Sequence, residues 1–302
     1  MTTGSLLPNH KQMLLRYYNS LESRIGYKLF LGNTRHFGYY TTSTSFPFPI
    51  SASLRTMEGK LLKALQCPKG SRVLDAGCGN GQVAIYMATM GGYQVDCIEI
   101  VPRHAQAAKR NIEKAGLESQ ISVQVGDYHD LKAFEDNSLD GIYTMETLVH
   151  STNPEYVLRE FLRLLKPGGR IVLHEYDHID LSKAPKDLAD SMEKVNRYAA
   201  MPANASFNTN VLRTLLEETG FKDVHLIDMS ENIVPMLRLF YIFAIIPYYI
   251  FQFLGIEDRF VNTIAGAQAY RGRVGWRYTQ IVGKKAEGIS APTLCMFHIN
   301  CG

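Results

Sequence analysis

The run Val73-Leu74-Asp75-Ala76-Gly77-Cys78-Gly79-Asn80-Gly81 constrains the fold of this chain more than any other stretch. It reads as a buried strand that stops in a glycine-rich turn and feeds a helix. Glycines at alternate positions leave no side chains in the way, so backbone can close around a ligand. The helix that follows points its first N–H groups at that ligand. A dinucleotide site reads G-x-G-x-x-G. Here the spacing is G-x-G-x-G, with Asp75 before the first glycine. The third glycine is therefore misplaced for a nicotinamide dinucleotide. A tight turn without a ligand is the plain alternative, but three glycines would weaken a turn that one could make.

The chain has 302 residues, enough for one large α/β domain or two small ones. Its net charge of +3 is too small to argue for a nucleic-acid partner, and no Lys/Arg-rich run appears. The five cysteines show no C-x-x-C pair, and the sequence offers no metal site. An odd cysteine count, with no apolar core in Met1 to Asn19, points to a reducing, cytoplasmic setting. One segment stands apart: Leu239 to Gly255 carries no charge. Pro247 should interrupt it, so it reads as a buried or interfacial element more than as a membrane span. Peripheral membrane contact is a secondary expectation.

From residue 71 the pattern alternates strand and helix. Strands are expected at 72–75, 94–98, 121–125, 140–145 and 170–174, with helices between most of them. Lys166-Pro167-Gly168-Gly169 should terminate the helix before the fifth strand. Such alternation implies right-handed crossovers and a parallel sheet. A helix at 208–218 precedes a strand at 224–228. A later strand at 276–282 could pair with it as an antiparallel hairpin. Before the sheet, residues 10–30 could form one or two helices, and 53–66 another.

Several side chains fall at the carboxyl ends of these strands, the edge where open α/β sheets bind ligands. Glu99 can accept from both hydroxyls of a ribose, and Asp127 from an adenine amino group, with Tyr128 beside it. The plain alternatives are a solvated strand-end charge and a helix-capping Asp. Glu146 and His150 are spaced so that one helical turn would put them on one face. Glu175, with Tyr176 next to it, would approach from the adjacent strand. Together they form an expected acid/base cluster.

The run from Arg72 to Asp177 resembles class I S-adenosylmethionine-dependent methyltransferases. Within them it resembles the sterol C-methyltransferase-like branch, including fungal small-molecule enzymes. Glu146-Thr147-Leu148-Val149-His150 and His174-Glu175-Tyr176 stand where that branch carries its two motifs, and Leu165 to Gly169 matches its LKPGG turn. Phe37-Gly38-Tyr39-Tyr40 sits where its aromatic segment would lie. The resemblance implies a Rossmann-like α/β fold with a mostly parallel seven-stranded sheet and an antiparallel last strand. It implies an N-terminal helical cap over 1–66, a cofactor-binding domain over 67–285 with a helical lid inserted at 231–272, and a tail at 286–302. S-adenosylmethionine would be held by Asp75, Gly77, Cys78, Gly79, Gly81, Gln82, Glu99, Asp127, Tyr128 and Glu146. His150, Glu146, Glu175 and Tyr176 would carry catalysis. Tyr39, Tyr40, Tyr143, Phe240 and Phe243 would line the pocket of a lipophilic acceptor such as a polyketide, terpenoid or sterol. For an oxygen or nitrogen acceptor, His150 or Glu146 could remove its proton; for an alkene carbon, the ring faces of Tyr39, Tyr40, Tyr143 and Tyr176 could stabilise the carbocation that forms. The alternative is a protein of this fold that binds S-adenosylmethionine or a lipophilic ligand without moving a methyl group.

Overall fold

The computed structural model describes residues 8–32 and 34–287. Two helices open the chain, α1 (Pro8–Asn19) and α2 (Leu21–Leu31), and α3 (Ile50–Leu65) precedes the sheet. Helix α3 buries Leu54, Met57, Leu61 and Leu65 along one stripe. The alternating region follows as β1 (Arg72–Ala76), α4 (Gln82–Gly91), β2 (Gln94–Glu99), α5 (Pro102–Ala115), β3 (Ile121–Val125), β4 (Leu139–Met145), α6 (Pro154–Leu164) and β5 (Leu165–His178). Then come α7 (Lys186–Tyr198), α8 (Val211–Thr219), β6 (Lys222–Asp228), α9 (Ser230–Phe253), α10 (Val261–Arg271) and β7 (Trp276–Lys284).

The strands form one seven-stranded sheet in the order β3-β2-β1-β4-β5-β7-β6. The pairs among β1 to β5 are parallel, and β7 runs antiparallel to both β5 and β6. Strand order reverses beside β1, because β2 lies on one side of it and β4 on the other. That switch point opens a crevice at the carboxyl ends of the strands. Apolar clusters fill both faces of the sheet. One joins Met57, Leu61, Val83, Met87 and Val172, and the other joins Leu74, Ile142, Phe161, Ile171 and Phe207.

Three features depart from the sequence reading. The LKPGG stretch does not lie between helix and strand. Its Leu165 pairs with Leu139, so β5 starts there and runs to His178 along the full length of β7. Helix α7 and the turn after it had no counterpart in the sequence pattern. Pro247 does not interrupt the apolar segment either: α9 runs 24 residues through both Pro235 and Pro247. Burial of Ile233, Met236, Leu237, Leu239 and Ala244 holds its first half, and beyond Pro247 the Tyr248 hydroxyl accepts from Gln268 of α10 and Phe251 stacks on Phe260. Several buried side chains outweigh the hydrogen bonds that two prolines remove. By length and composition α9 could cross a membrane, yet part of it packs into the protein. Most of the expected tail, from residue 288 on, lies outside the described residues, as does residue 33.

Candidate active site

Strand β1 ends in the glycine loop, and its backbone explains the residues found there. Gly77 has φ 104° and Gly81 has φ 80°, both in the left-handed region that side chains rarely adopt. A Cβ on Gly77 would stand 2.7 Å from Cγ2 of Thr147. The Gly77 and Cys78 N–H groups donate to the Ile98 carbonyl, which ties the loop to β2. Gly81 packs on Ala108 of α5 instead of lining the cleft, so its part is helix–helix approach rather than ligand contact.

The remaining cofactor candidates converge on one cleft. It is lined by Asp75, Gly77, Cys78, Gly79, Gln82, Glu99, Asp127, Tyr128 and Glu146, and also by Asn80, Thr147 and His150. Glu99 accepts from the Gly79 and Val101 N–H groups, each at 2.8 Å, and so braces the loop from β2. Asp127 accepts from the backbone N–H of His129 at 2.9 Å, and His129 Nδ1 lies 2.7 Å from the same oxygen. The Tyr128 hydroxyl donates to the Thr147 carbonyl. Asp75 accepts from the Tyr143 hydroxyl at 3.1 Å, and burial pushes its carboxyl up to about 7. Of the four carboxylates that line the cleft, Asp75, Glu99 and Asp127 fit a ligand with a cationic amine, ribose hydroxyls and an adenine amino group.

A second, larger cavity of about 470 Å³ adjoins the first. Tyr18, Arg35, His36, Glu146 and His150 line both, so they form the wall between them. Phe240, Phe243, Ala244 and Leu237 of α9, Leu188, Met192 and Val195 of α7, and Ala265 and Ala269 of α10 make its lining mostly apolar. Phe240 and Phe243 therefore both reach this cavity. Tyr39, Tyr40 and Tyr143 do not line either cavity. Tyr143 is fully buried on Asp75, Tyr40 donates to the Pro47 carbonyl within a small core, and Tyr39 stacks under Lys60. Aromatic type alone does not tell a core ring from a pocket ring: register on β4 decided Tyr143, and packing of the segment before α3 decided Tyr39 and Tyr40.

The expected acid/base cluster is also rearranged. Glu146 and His150 do share the dividing wall, but no helical turn puts them there. Glu146 has φ 59°, a conformation unusual for its type, and residues 148–150 form a short 3-10 turn. The Glu146 carboxylate accepts from the Phe37 N–H at 2.8 Å, the Tyr278 hydroxyl at 2.9 Å and the Tyr176 hydroxyl. Burial raises its pKa against these three donors. His150 places Nδ1 2.9 Å from the Ala200 carbonyl and Nε2 2.8 Å from the Tyr18 hydroxyl. Burial lowers its pKa to about 4, so the ring is neutral near pH 7. Nδ1–H then donates to Ala200, and Nε2 accepts from Tyr18. Glu175 lines neither cavity. Its carboxylate accepts from Thr144 Oγ1 and from the N–H groups of Thr147 and Leu148, which fixes the loop that carries Glu146. Its role in the structure is to hold that loop. Tyr176 reaches the large cavity.

The N-terminal helices supply parts that sequence reasoning missed. Tyr18 closes over the cleft, with its carbonyl accepting from Arg103 at 2.8 Å. His36 follows Arg35 into the wall, its Nε2 3.3 Å from buried Glu58. Glu22 of α2 accepts from the N–H groups of Asn262 and Thr263, capping the start of α10. The Arg35-His36-Phe37 run was the one available signal, as polar residues set in an aromatic stretch.

Comparison with known proteins agrees with this architecture. A family model described as a methyltransferase domain matches residues 68–220. The S-adenosyl-L-methionine-dependent Diels-Alderase iccD of Talaromyces variabilis is 42% identical over 273 residues, covering 89% of this chain and 93% of that protein. The S-adenosyl-L-methionine-dependent Diels-Alderase iliD of Neonectria sp. (strain DH2) is 41% identical over 221 residues, covering 70% of this chain and 83% of that one. Among solved structures, the [4+2]-cyclase SpnF superposes with a TM-score of 0.69 at 21% identity, covering 92% of this chain and 95% of that chain. This last likeness is one of fold. With its glycine loop, its switch-point cleft and these relatives, the chain belongs to the class I S-adenosylmethionine-dependent methyltransferase family.

Proposed function

We propose that the protein binds S-adenosylmethionine in the cleft and catalyses a [4+2] cycloaddition of a lipophilic polyene in the adjoining cavity. The observation that carries this reading is the wall between the two. Both nitrogens of His150 are engaged, and the Glu146 carboxylate is held by three donors. Neither group stands ready to take a proton from an acceptor, as methylation of a hydroxyl oxygen would require. A cycloaddition needs no base. Two C–C σ bonds form, three π bonds become one, and no atom enters or leaves. The two Diels-Alderase relatives match over most of their length and support the same reading.

When bound, the cofactor supplies a fixed positive sulfonium that can polarise an electron-poor alkene beside it. The protein's own contribution is shape. Phe240, Phe243 and Trp276 would fold the chain of the substrate so that diene and dienophile meet. The Tyr18–His150 contact would keep water out of the wall. Asp75, Glu99 and Asp127 would hold the amine, ribose and adenine of the cofactor.

Methyl transfer to a lipophilic acceptor is the second reading, favoured by the methyltransferase-domain match over residues 68–220. The outward face of α9, with Ile242, Ile246, Ile250 and Phe253 exposed, offers a surface for contact with membranes that hold such substrates. The deciding experiment incubates the protein with methyl-labelled S-adenosylmethionine and a lipophilic fungal extract. An unlabelled product isomeric with its substrate supports cycloaddition. A labelled product overturns it in favour of methyl transfer.

A further inference from the structure

A buried polar chain joins the loop after β3 to the loop after β4. Asp127 follows β3, Ser151 follows the turn at 148–150, and β2 and β1 lie between the two strands in the sheet. His129 spans that gap. Its Nδ1 stands 2.7 Å from Asp127 Oδ1, and its Nε2 stands 2.8 Å from Ser151 Oγ. A carboxylate only accepts, so Nδ1 carries the hydrogen of the first contact. The same Oδ1 accepts from the backbone N–H of His129 at 2.9 Å. Two donors on one oxygen fix the rotation of the Asp127 carboxylate, and with it the direction of Oδ2.

An acid, an imidazole and a hydroxyl in series is also the arrangement of a nucleophilic triad. Ser151 cannot serve as the nucleophile here. It is 0% exposed, lines neither cavity, and its Oγ accepts from the Asn153 N–H at 3.1 Å. The end of the chain that can meet a ligand is Asp127, whose side chain is 17% exposed and which lines the cofactor cleft. His129 lies behind it, buried and outside both cavities. We infer that His129, anchored by Ser151, is a positioning residue for cofactor recognition: it holds Asp127 at the angle from which the carboxylate accepts from the adenine amino group. This rests on the reading that Asp127 faces the adenine. An acceptor oriented before the ligand arrives spares the cost of ordering it on binding. It also rejects a purine that brings a carbonyl to the same place, because two acceptors then face each other.

The test is calorimetric titration of the full chain with S-adenosylhomocysteine and with S-inosylhomocysteine. The two probes differ along one edge of the purine, where the amino donor becomes a carbonyl acceptor. The unaltered protein is expected to prefer the adenosyl compound at least about tenfold. Asp127→Asn should abolish that preference. His129→Gln, whose amide reaches the Ser151 end of the site, should cut it about threefold or more. His129→Asn, which puts an N–H where Nδ1 stands, should keep most of it, and Ser151→Ala should fall between the two. Each loss should come from weaker adenosyl binding, with inosyl binding nearly unchanged. A preference equal in the Gln and Asn variants overturns the proposal. So does a His129→Gln protein that binds both probes more weakly by the same factor, since His129 would then only support the loop. In either case a preference lost in Asp127→Asn leaves the reading of Asp127 standing. A preference missing from the unaltered protein, or surviving in Asp127→Asn, overturns that reading and the proposal with it.

Discussion

The Tyr18 hydroxyl donates to His150 Nε2 across 2.8 Å, joining the first helix of the chain to the loop after β4. The rings meet edge to face at 5.5 Å, and Tyr18 also packs edge-on to His104. One residue thus closes the cofactor cleft and fixes the histidine of the wall. Tyr18→Phe should cost roughly 1 kcal/mol, the worth of one such bond, and loosen α1. Limited proteolysis should then cut the first helix sooner, and calorimetric titration should show weaker cofactor binding. Unchanged proteolysis and affinity would mean that the contact closes nothing.

The pH dependence of cofactor binding follows from Asp75. Burial raises its carboxyl to about 7, so in the free protein it is largely protonated below that pH. A cationic ligand favours the ionised form, and affinity for S-adenosylmethionine should therefore rise as pH passes from about 6 to 8. Asp75→Asn should flatten that profile and weaken binding above pH 7. The sign for stability is opposite. A carboxyl raised on folding contributes stability that is fully present below its unfolded value and lost as pH rises through about 7. Thermal melts of ligand-free Asp75→Asn and unaltered protein should differ more at pH 8 than at pH 5.

Gly77→Ala tests the turn itself. The φ of 104° and a 2.7 Å approach to Thr147 Cγ2 leave no room for a methyl group. The substitution should destabilise the protein by about 2 kcal/mol or more in denaturant titration. Glu99→Ala leaves that backbone alone but removes the brace on the Gly79 N–H. It should lower cofactor affinity at least about tenfold with a smaller loss of stability.

Filling the large cavity should separate its role from that of the cleft. Ala244 on α9 lines the cavity and not the cleft. Ala244→Trp should abolish turnover of the lipophilic substrate while leaving S-adenosylmethionine binding within about twofold, by the calorimetric measurement. Loss of both together would show that the two cavities do not act as separate binding sites.

The exposed face of α9 has its own test. Phe253 is 90% and Ile246 69% exposed, on a charge-free stretch. Sedimentation with phosphatidylcholine vesicles should bring down the unaltered protein, and Ile246→Glu with Phe253→Glu should keep it in the supernatant. Equal partition of both proteins would remove membrane contact from the proposed function.

Much of the sheet could be read from spacing. Strand–helix alternation depends on side chains near in sequence, and so do the turns at Gly81 and Gly116 that bound its helices. The antiparallel pairing of β6 with β7 followed from two strand-like runs late in the chain, while the insertion of β7 between β5 and β6 did not. The candidates at strand ends, Asp75, Glu99, Asp127 and Glu146, fall together in the cleft because parallel strands deliver their carboxyl ends to one edge. Other residues were out of reach. Tyr143 reads like a pocket residue until its register on Asp75 is known, and Glu175 reads like a base until its loop contacts are known. The passage of α9 through Pro247 depends on α10 and Phe260, which its second half meets.

By itself, the sequence determined the parallel sheet, the glycine turn and the acidic residues that ring the cleft. These rest on local periodicity and on backbone conformations that only glycine adopts readily. Tertiary structure alone decided what faces the cleft. It brought Tyr18, from a helix far away in the chain, onto His150, and set Glu146 among Phe37, Tyr176 and Tyr278. Each of these joins residues distant along the chain. Burial and hydrogen-bond geometry, which set what such groups can do, exist only once those distant segments pack.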